Sequence, residues 1–409
     1  MVDSTVPASV QTAPAVSRRV YALVLFALSM GGFAIGIGEF ASMGLMPDIA
    51  RGLAISETQV GHLISAYALG VVVGAPTLAI FGARLRRRSL LLLLMVFYAA
   101  GNAASAFAPN YQMALLFRFI AGLPHGAYFG VAALVAASMS APNRRAAAVS
   151  RVLMGLSVAM LIGNPLATWL GQVLSWRYAF GLVGLVALLT VVLVFAFLKP
   201  DPDEPRQNPL TELRAFNQAQ VWYALAIGAI GFAGMFCVFS YLAPTLMHVT
   251  GLSEHWVPMA MAAFGIGGML GNVVGGWLFD KLQFRAVAVM LVWSCVMLML
   301  FPMAAHSLWT ILPAVIAVGT MVGLSPALQT RLMDVASEAQ TLAAASNHAA
   351  FNVANALGPW LGGLAIGAGM GWTVTGYVGA ATALVGLGVY FLAQRSDGQV
   401  RQIEAQAGR

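Results

Sequence analysis

Twelve stretches of this chain are apolar for about 20 residues or more, and that repetition leaves few folds open. They lie at about 20–46, 59–82, 89–108, 111–138, 146–171, 176–198, 220–247, 256–279, 286–305, 308–330, 341–366 and 371–394. A helix rises 1.5 Å per residue, so about 20 apolar residues cross the ~30 Å hydrocarbon layer of a membrane. In lipid every backbone N–H and C=O must find a partner inside the structure, which restricts spanning segments to helices and closed barrels. These runs are long, β-branched residues do not dominate them and none alternates with period two, so twelve helices are expected rather than a barrel. Charge agrees: only 9% of the 409 residues are charged, against about 25% in soluble domains, so most of the surface is expected to face lipid. The first run is too long for the apolar core of a signal peptide and lacks a clean cleavage pattern, so it reads as a retained span. Cys237 and Cys295 both lie inside apolar runs and offer neither a disulfide framework nor a CxxC metal pair.

A polar, proline- and acid-rich stretch separates the sixth and seventh runs. It reads as a linker and divides the chain into a tail (1–17), a six-helix bundle (18–198), the linker (199–219), a second six-helix bundle (220–394) and a closing tail (395–409). The bundles look related. YALGVVVG at 67–74 resembles FGIGGMLG at 264–271, an offset of 197, and Asn164, Pro165, Gly171 and Trp176 have counterparts in Gly358, Pro359, Gly362 and Trp372 at about the same offset. A duplicated six-helix unit is the parallel-repeat plan of one transporter class. With the N-terminus inside, 18 of the 21 Lys and Arg residues fall in inside segments, which predicts both termini on the cytoplasmic side. The same distribution sets nucleic acid aside as the reason for the net charge of +7.

A charge near mid-membrane costs about 2.5–3.5 kcal/mol on insertion scales and marks function by default. Two stand out. Glu39 lies about seven residues from the outer end of the first run and Arg118 about seven from that of the fourth, so both sit roughly 10 Å deep and can pair if their helices are neighbours. No Asp or Glu occurs between Glu57 and Asp201, so Glu39 is the obvious carboxylate for carrying a proton, with Arg118 tuning it. A static ion pair that fixes helix packing is the alternative. His125 shares the helix face of Arg118 and is either a proton handler or a neutral packing residue. His348, Asn352 and Asn355 form an i, i+4, i+7 stripe on the eleventh run, fit either for lining a substrate path or for interhelical hydrogen bonds. Tyr67, Phe236 and Tyr241 complete the candidate substrate contacts. Gly155, Ala159, Gly163, Ala167 and Gly171 recur every fourth position beside Pro165, a smooth face for close helix contact and a candidate pivot. His248, Glu254 and His255 match no metal spacing and read as a solvated loop.

These residues resemble the Major Facilitator Superfamily from about residue 18 to 394. RFIAGLPHG at 118–126 looks like that family's Arg-containing motif, associated with proton coupling. Gly155 through Gly163 and Pro165 to Gly171 is similar to its antiporter motif, associated with exporters. GWLFDK at 276–281 with Arg285 looks like the second copy of its loop motif, which marks Asp280, Lys281 and Arg285 as conformational candidates. The first copy, GARLRRR at 82–88, lacks the expected Asp. Within the family, Glu39, Phe40, the GLMPDIA stretch at 44–50, SAYALG at 65–70 and NVANALG at 352–358 resemble the sugar-efflux and chloramphenicol-resistance branch of drug:proton antiporters. The resemblance implies an all-α fold of two pseudo-symmetric bundles in a bacterial inner membrane. It implies alternating access, efflux of a small neutral or amphipathic compound, such as a drug or sugar, in exchange for protons, and a monomer partnered by lipid. An importer of the same fold and a non-transporting sensor are the rivals. No cofactor or metal is expected beyond the proton gradient. HExxH, GxSxG and GxxxxGK[ST] are all missing from the sequence, so neither an enzyme nor a nucleotide-driven pump is expected.

Overall fold

The computed structural model describes residues 17–82, 84–141, 144–200, 218–335 and 340–407. The first tail and most of the linker lie outside these residues. All regular structure among them is helical. Eleven helices are long and apolar enough to cross a membrane. A twelfth, Gln340–Gly367, matches them in length, and its polar residues Asn347, His348, Asn352 and Asn355 lower its apolarity.

Spans 1 to 6 are Arg18–Gly44, Glu57–Gly82, Arg87–Ala106, Tyr111–Ser138, Ala148–Val173 and Trp176–Phe197. Spans 7 to 12 are Ala219–Ser240, Val257–Leu282, Arg285–Ala304, Leu308–Val335, Gln340–Gly367 and Val374–Ala407. The face that carries both chain ends is called proximal below and the opposite face distal. Side-chain oxygens of Ser17, Asn110 and Ser175 cap spans 1, 4 and 6, satisfying N–H groups that have no partner inside the helix. Two short helices, Met46–Leu53 and Leu242–His248, extend spans 1 and 7 on the distal side. Span 12 does not stop near 394 but runs on to Ala407, where Asp397 pairs with Arg331 of span 10.

The halves use the same neighbour plan. Span 2 packs on span 4, 3 on 6, and 1 on 5 and 6; span 8 packs on 10, 9 on 12, and 7 on 11 and 12. They meet through span 2 against span 11 and span 5 against span 8. Large apolar side chains such as Phe81, Leu185, Phe195, Val273 and Met303 stand exposed on the outside of the bundle, where lipid tails cover them.

The small-residue stripe of span 5 faces span 1. A Cβ on Gly155 would sit 2.0 Å from the Ser29 carbonyl oxygen, and one on Gly163 would sit 2.7 Å from the Ile37 side chain. Pro165 has no N–H for the carbonyl four residues back, and the preceding turn, Ala159–Gly163, is wound as a π-helix. That turn meets the other half: a Cβ on Gly265 of span 8 would lie 2.7 Å from the Met160 carbonyl oxygen.

Candidate functional site

Glu39 sits where spans 1, 2, 4 and 11 converge, 5% exposed. Its carboxylate oxygen Oε1 accepts a hydrogen bond of 2.9 Å from Asn355 Nδ2. The bond joins the two halves. Arg118, 2% exposed, is not ion-paired with Glu39 among the described contacts. Its Nη2 donates instead to the carbonyl of Gly38, the residue before Glu39, at 2.8 Å. Its guanidinium lies over the Tyr67 ring at 4.3 Å and the Phe180 ring at 5.1 Å. In place of the direct pairing that equal depth allows, the guanidinium has a backbone bond and two aromatic faces, which hold a cation by its attraction to the ring quadrupole. Nε and Nη1 of Arg118 are buried without a protein partner. A cavity of about 10 Å³ lined by Ser42, Ser105, Arg118, Trp176 and Phe180 adjoins them, room for about one water.

A polar chain runs from this point through the first half. The Tyr67 hydroxyl lies 3.2 Å from that of Tyr98 and 3.1 Å from His125 Nδ1. The Tyr98 hydroxyl donates to the Ile35 carbonyl at 3.2 Å. His125 packs on Phe129, and Phe129 stacks on His348 of span 11 with centroids 5.9 Å apart. Asn352 donates to the His348 carbonyl at 3.0 Å. Phe236 of span 7 stacks on Phe40 of span 1 at 6.4 Å. Five of the six candidate substrate contacts therefore gather at the central seam. Tyr241 lies nearer the distal face, its hydroxyl donating to the Pro359 carbonyl at 2.8 Å. Asp280, Lys281 and Arg285 lie at the proximal ends of spans 8 and 9, away from this cluster, with Lys281 over the Trp277 ring at 4.3 Å.

Several contacts escape sequence reasoning. The Ser65 hydroxyl of span 2 donates to the Ala356 carbonyl of span 11 at 2.7 Å. On the distal face, Arg51 binds Asp48 at 2.6 Å and Glu254 of the other half at 2.8 Å. Gln172 donates to the Glu254 carbonyl at 2.8 Å, and His248 meets Glu57 at 3.3 Å. The segment read as a solvated loop therefore joins the halves. Bonds from Glu254 and Asp48 push the Arg51 guanidinium still higher, keeping it charged. Burial raises the Asp48 carboxyl although Arg51 opposes the shift. His248, Trp372, Arg51 and Glu57 line a distal recess of about 680 Å³.

Two six-helix bundles with the same neighbour plan, meeting around buried polar residues, define a membrane transporter. The chain matches the Major Facilitator Superfamily over residues 28–345 and belongs to that family. It is 36% identical over 374 residues to the inner membrane transport protein YdhP of Escherichia coli K12, covering 91% of this chain and 96% of that one. It is 30% identical over 378 residues to a probable sugar efflux transporter of Helicobacter pylori G27, covering 91% and 95%. Its fold is similar to that of a bacterial homologue of the human lysosomal transporter Spinster in an inward-facing, unoccupied conformation. The TM-score is 0.75 at 19% identity, covering 93% of this chain and 98% of that one.

Proposed function

We propose that this transporter exports a small neutral or amphipathic compound from the bacterial cytoplasm in exchange for protons, with Glu39 carrying the proton. The observation that carries the reading is the place of Glu39: a carboxylate buried at the seam, near the Arg118 charge and bonded to the opposite half. The YdhP relative supports transport, and the sugar-efflux relative supports its direction. The Arg distribution supports an arrangement in which the proximal face is cytoplasmic.

In this cycle the distal face opens, Glu39 takes a proton from outside and substrate leaves. The halves then rock about the central seam. With the distal face closed, Glu39 releases its proton to the cytoplasm and substrate enters. A proton moving down 100 mV supplies about 2.3 kcal/mol, more than a tenfold concentration ratio for a neutral substrate. Phe40, Phe236, Phe129, His348 and Asn352 offer aromatic faces and a few amide and imidazole groups, a lining suited to an uncharged ring-bearing compound or a sugar. Arg118, the one buried Arg or Lys among the described residues, is a poor match for a strongly anionic substrate.

The test is transport in proteoliposomes with an imposed pH gradient, using a phenicol, a lipophilic cation, a pentose and a thiogalactoside. Gradient-driven accumulation of one compound is expected in wild type. Glu39→Gln is expected to retain exchange of that compound between two equal pools and to lose gradient-driven accumulation. Accumulation by Glu39→Gln at the wild-type level would remove Glu39 from the coupling.

A further inference from the structure

Building on that reading, we infer that Asn355 ties the charge of Glu39 to the relative position of the halves, because its amide bonds the carboxylate across the seam only while the distal face is closed. Glu39 and Asn355 are 316 residues apart, and both are buried. The neighbouring Ala356 carbonyl accepts from Ser65, again across the seam. Four residues after Asn355 stands Pro359, which has no N–H for the Asn355 carbonyl, so span 11 is loosened at this turn. Tyr241 holds the Pro359 carbonyl from the same half. One turn of span 11 is thereby fastened to its own half on one side and to Glu39 and Ser65 on the other.

Geometry makes this fastening conditional. Glu39 lies five residues, about 8 Å, from the distal end of span 1, and Ser65 eight residues, about 12 Å, from that of span 2. Beyond them lie the Arg51–Glu254 and Glu57–His248 contacts. A rocking motion that opens the distal face separates all of these pairs, and a hydrogen bond of 2.9 Å does not survive a displacement of even 1 Å.

Chemistry makes it selective. The other groups that face Glu39 are Arg118 on span 4, Tyr67 on span 2 and Tyr98 on span 3. All belong to the same half as Glu39 and move with it, so they cannot report where the other half is. Arg118 is the one charge that acts on Glu39 among the described residues. Asn355 does report it. An amide N–H bonds a carboxylate more strongly than a neutral carboxylic acid, so distal closure and loss of the proton favour each other, each by the same factor. An exporter needs that sign: the proton is let go when the distal face is shut and taken up when it is open.

The experiment reads distal-face distances by paired spin labels at Pro109 and His306, both exposed and on opposite halves, in lipid nanodiscs between pH 5.5 and 8.5. The two native cysteines are replaced, and His248→Gln is present throughout so that the Glu57 pair does not respond. The closed-to-open ratio should rise about fivefold with pH in this background. It should be flat in Glu39→Gln and in Asn355→Leu. It should recover in part in Asn355→Gln, which restores the amide. That partial recovery in Asn355→Gln separates the amide bond from a purely structural role, because a role in packing alone would not be restored by the longer side chain. Should Asn355→Leu fail to fold, Asn355→Ala carries the same prediction. A response lost in Glu39→Gln but intact in Asn355→Leu overturns this inference and leaves Glu39 as the proton carrier. A response intact in both variants overturns the inference and the assignment of Glu39 together.

Discussion

The span 2–span 4 pair of the first half and the span 8–span 10 pair of the second share one backbone contact but not one chemistry. A Cβ on Gly70 would lie 2.1 Å from the Phe119 carbonyl oxygen, and one on Gly267 would lie 2.1 Å from that of Ile316. A Cβ on Gly122 would likewise lie 2.1 Å from the Tyr67 carbonyl oxygen, and one on Gly319 would lie 2.4 Å from that of Phe264. Each pair is separated by 197 residues. At the same offset Arg118 corresponds to Val315 and His125 to Val322. The same backbone packing occurs in both halves, while among the described residues buried charge stands in the first half alone. Helix approach through glycine is needed wherever two spans cross closely. A buried cation is costly, so packing alone gives no reason to repeat it in the second half.

The comparison is broken hardest by exchanging the chemistry. Arg118→Met should abolish gradient-driven transport, at least a hundredfold, because the remaining half-site cannot stabilise a charged Glu39. Val315→Ile at the corresponding position should lower transport far less than Arg118→Met does, since it adds one methylene to a buried side chain and removes no charge. Proteoliposome uptake rates check both, and equal losses would mean that both positions serve packing. Next come the glycines. Gly70→Val and Gly267→Val should each lower stability by about 1–3 kcal/mol or more, because a side chain there meets backbone that cannot yield. Similar melting shifts in size-exclusion thermal assays would support equal packing roles; a shift confined to one half would contradict them. The distal contacts give the smallest effect. Arg51 is 60% exposed on its side chain, so Glu254→Gln should move the distal open–closed balance by under about 1 kcal/mol, and by less in high salt. A large, salt-insensitive change would make this pair a principal lock.

Hydropathy and the cost of buried charge made much of this legible. The spans could be read because lipid demands long apolar runs, and Glu39 and Arg118 because nothing else ionic stands so deep in the first six. The Glu39–Asn355 bond was not legible. Asn355 was readable as one polar residue on a helical stripe, but its partner lies 316 residues away, and nothing in either local pattern encodes that meeting. The same holds for Arg51 and Glu254, which look like ordinary loop charges until two distant distal ends come together. The Arg118–Gly38 bond was hidden for another reason. Its acceptor is a backbone carbonyl, which carries no side-chain signature. Equal depth allows a direct ion pair, where the fold instead supplies a carbonyl and two aromatic rings. The continuation of span 12 to Ala407 also depends on a tertiary partner, Arg331, for Asp397.

If Glu39 exchanges a proton against substrate, as proposed above, substrate binding and proton loss occur together. The most direct measurement is proton release from purified, detergent-solubilised protein in weak buffer on adding each panel compound, wild type beside Glu39→Gln. Release is expected from wild type with the transported compound, and none from Glu39→Gln. Binding of that compound without proton release in wild type, at every pH tried, would contradict that exchange.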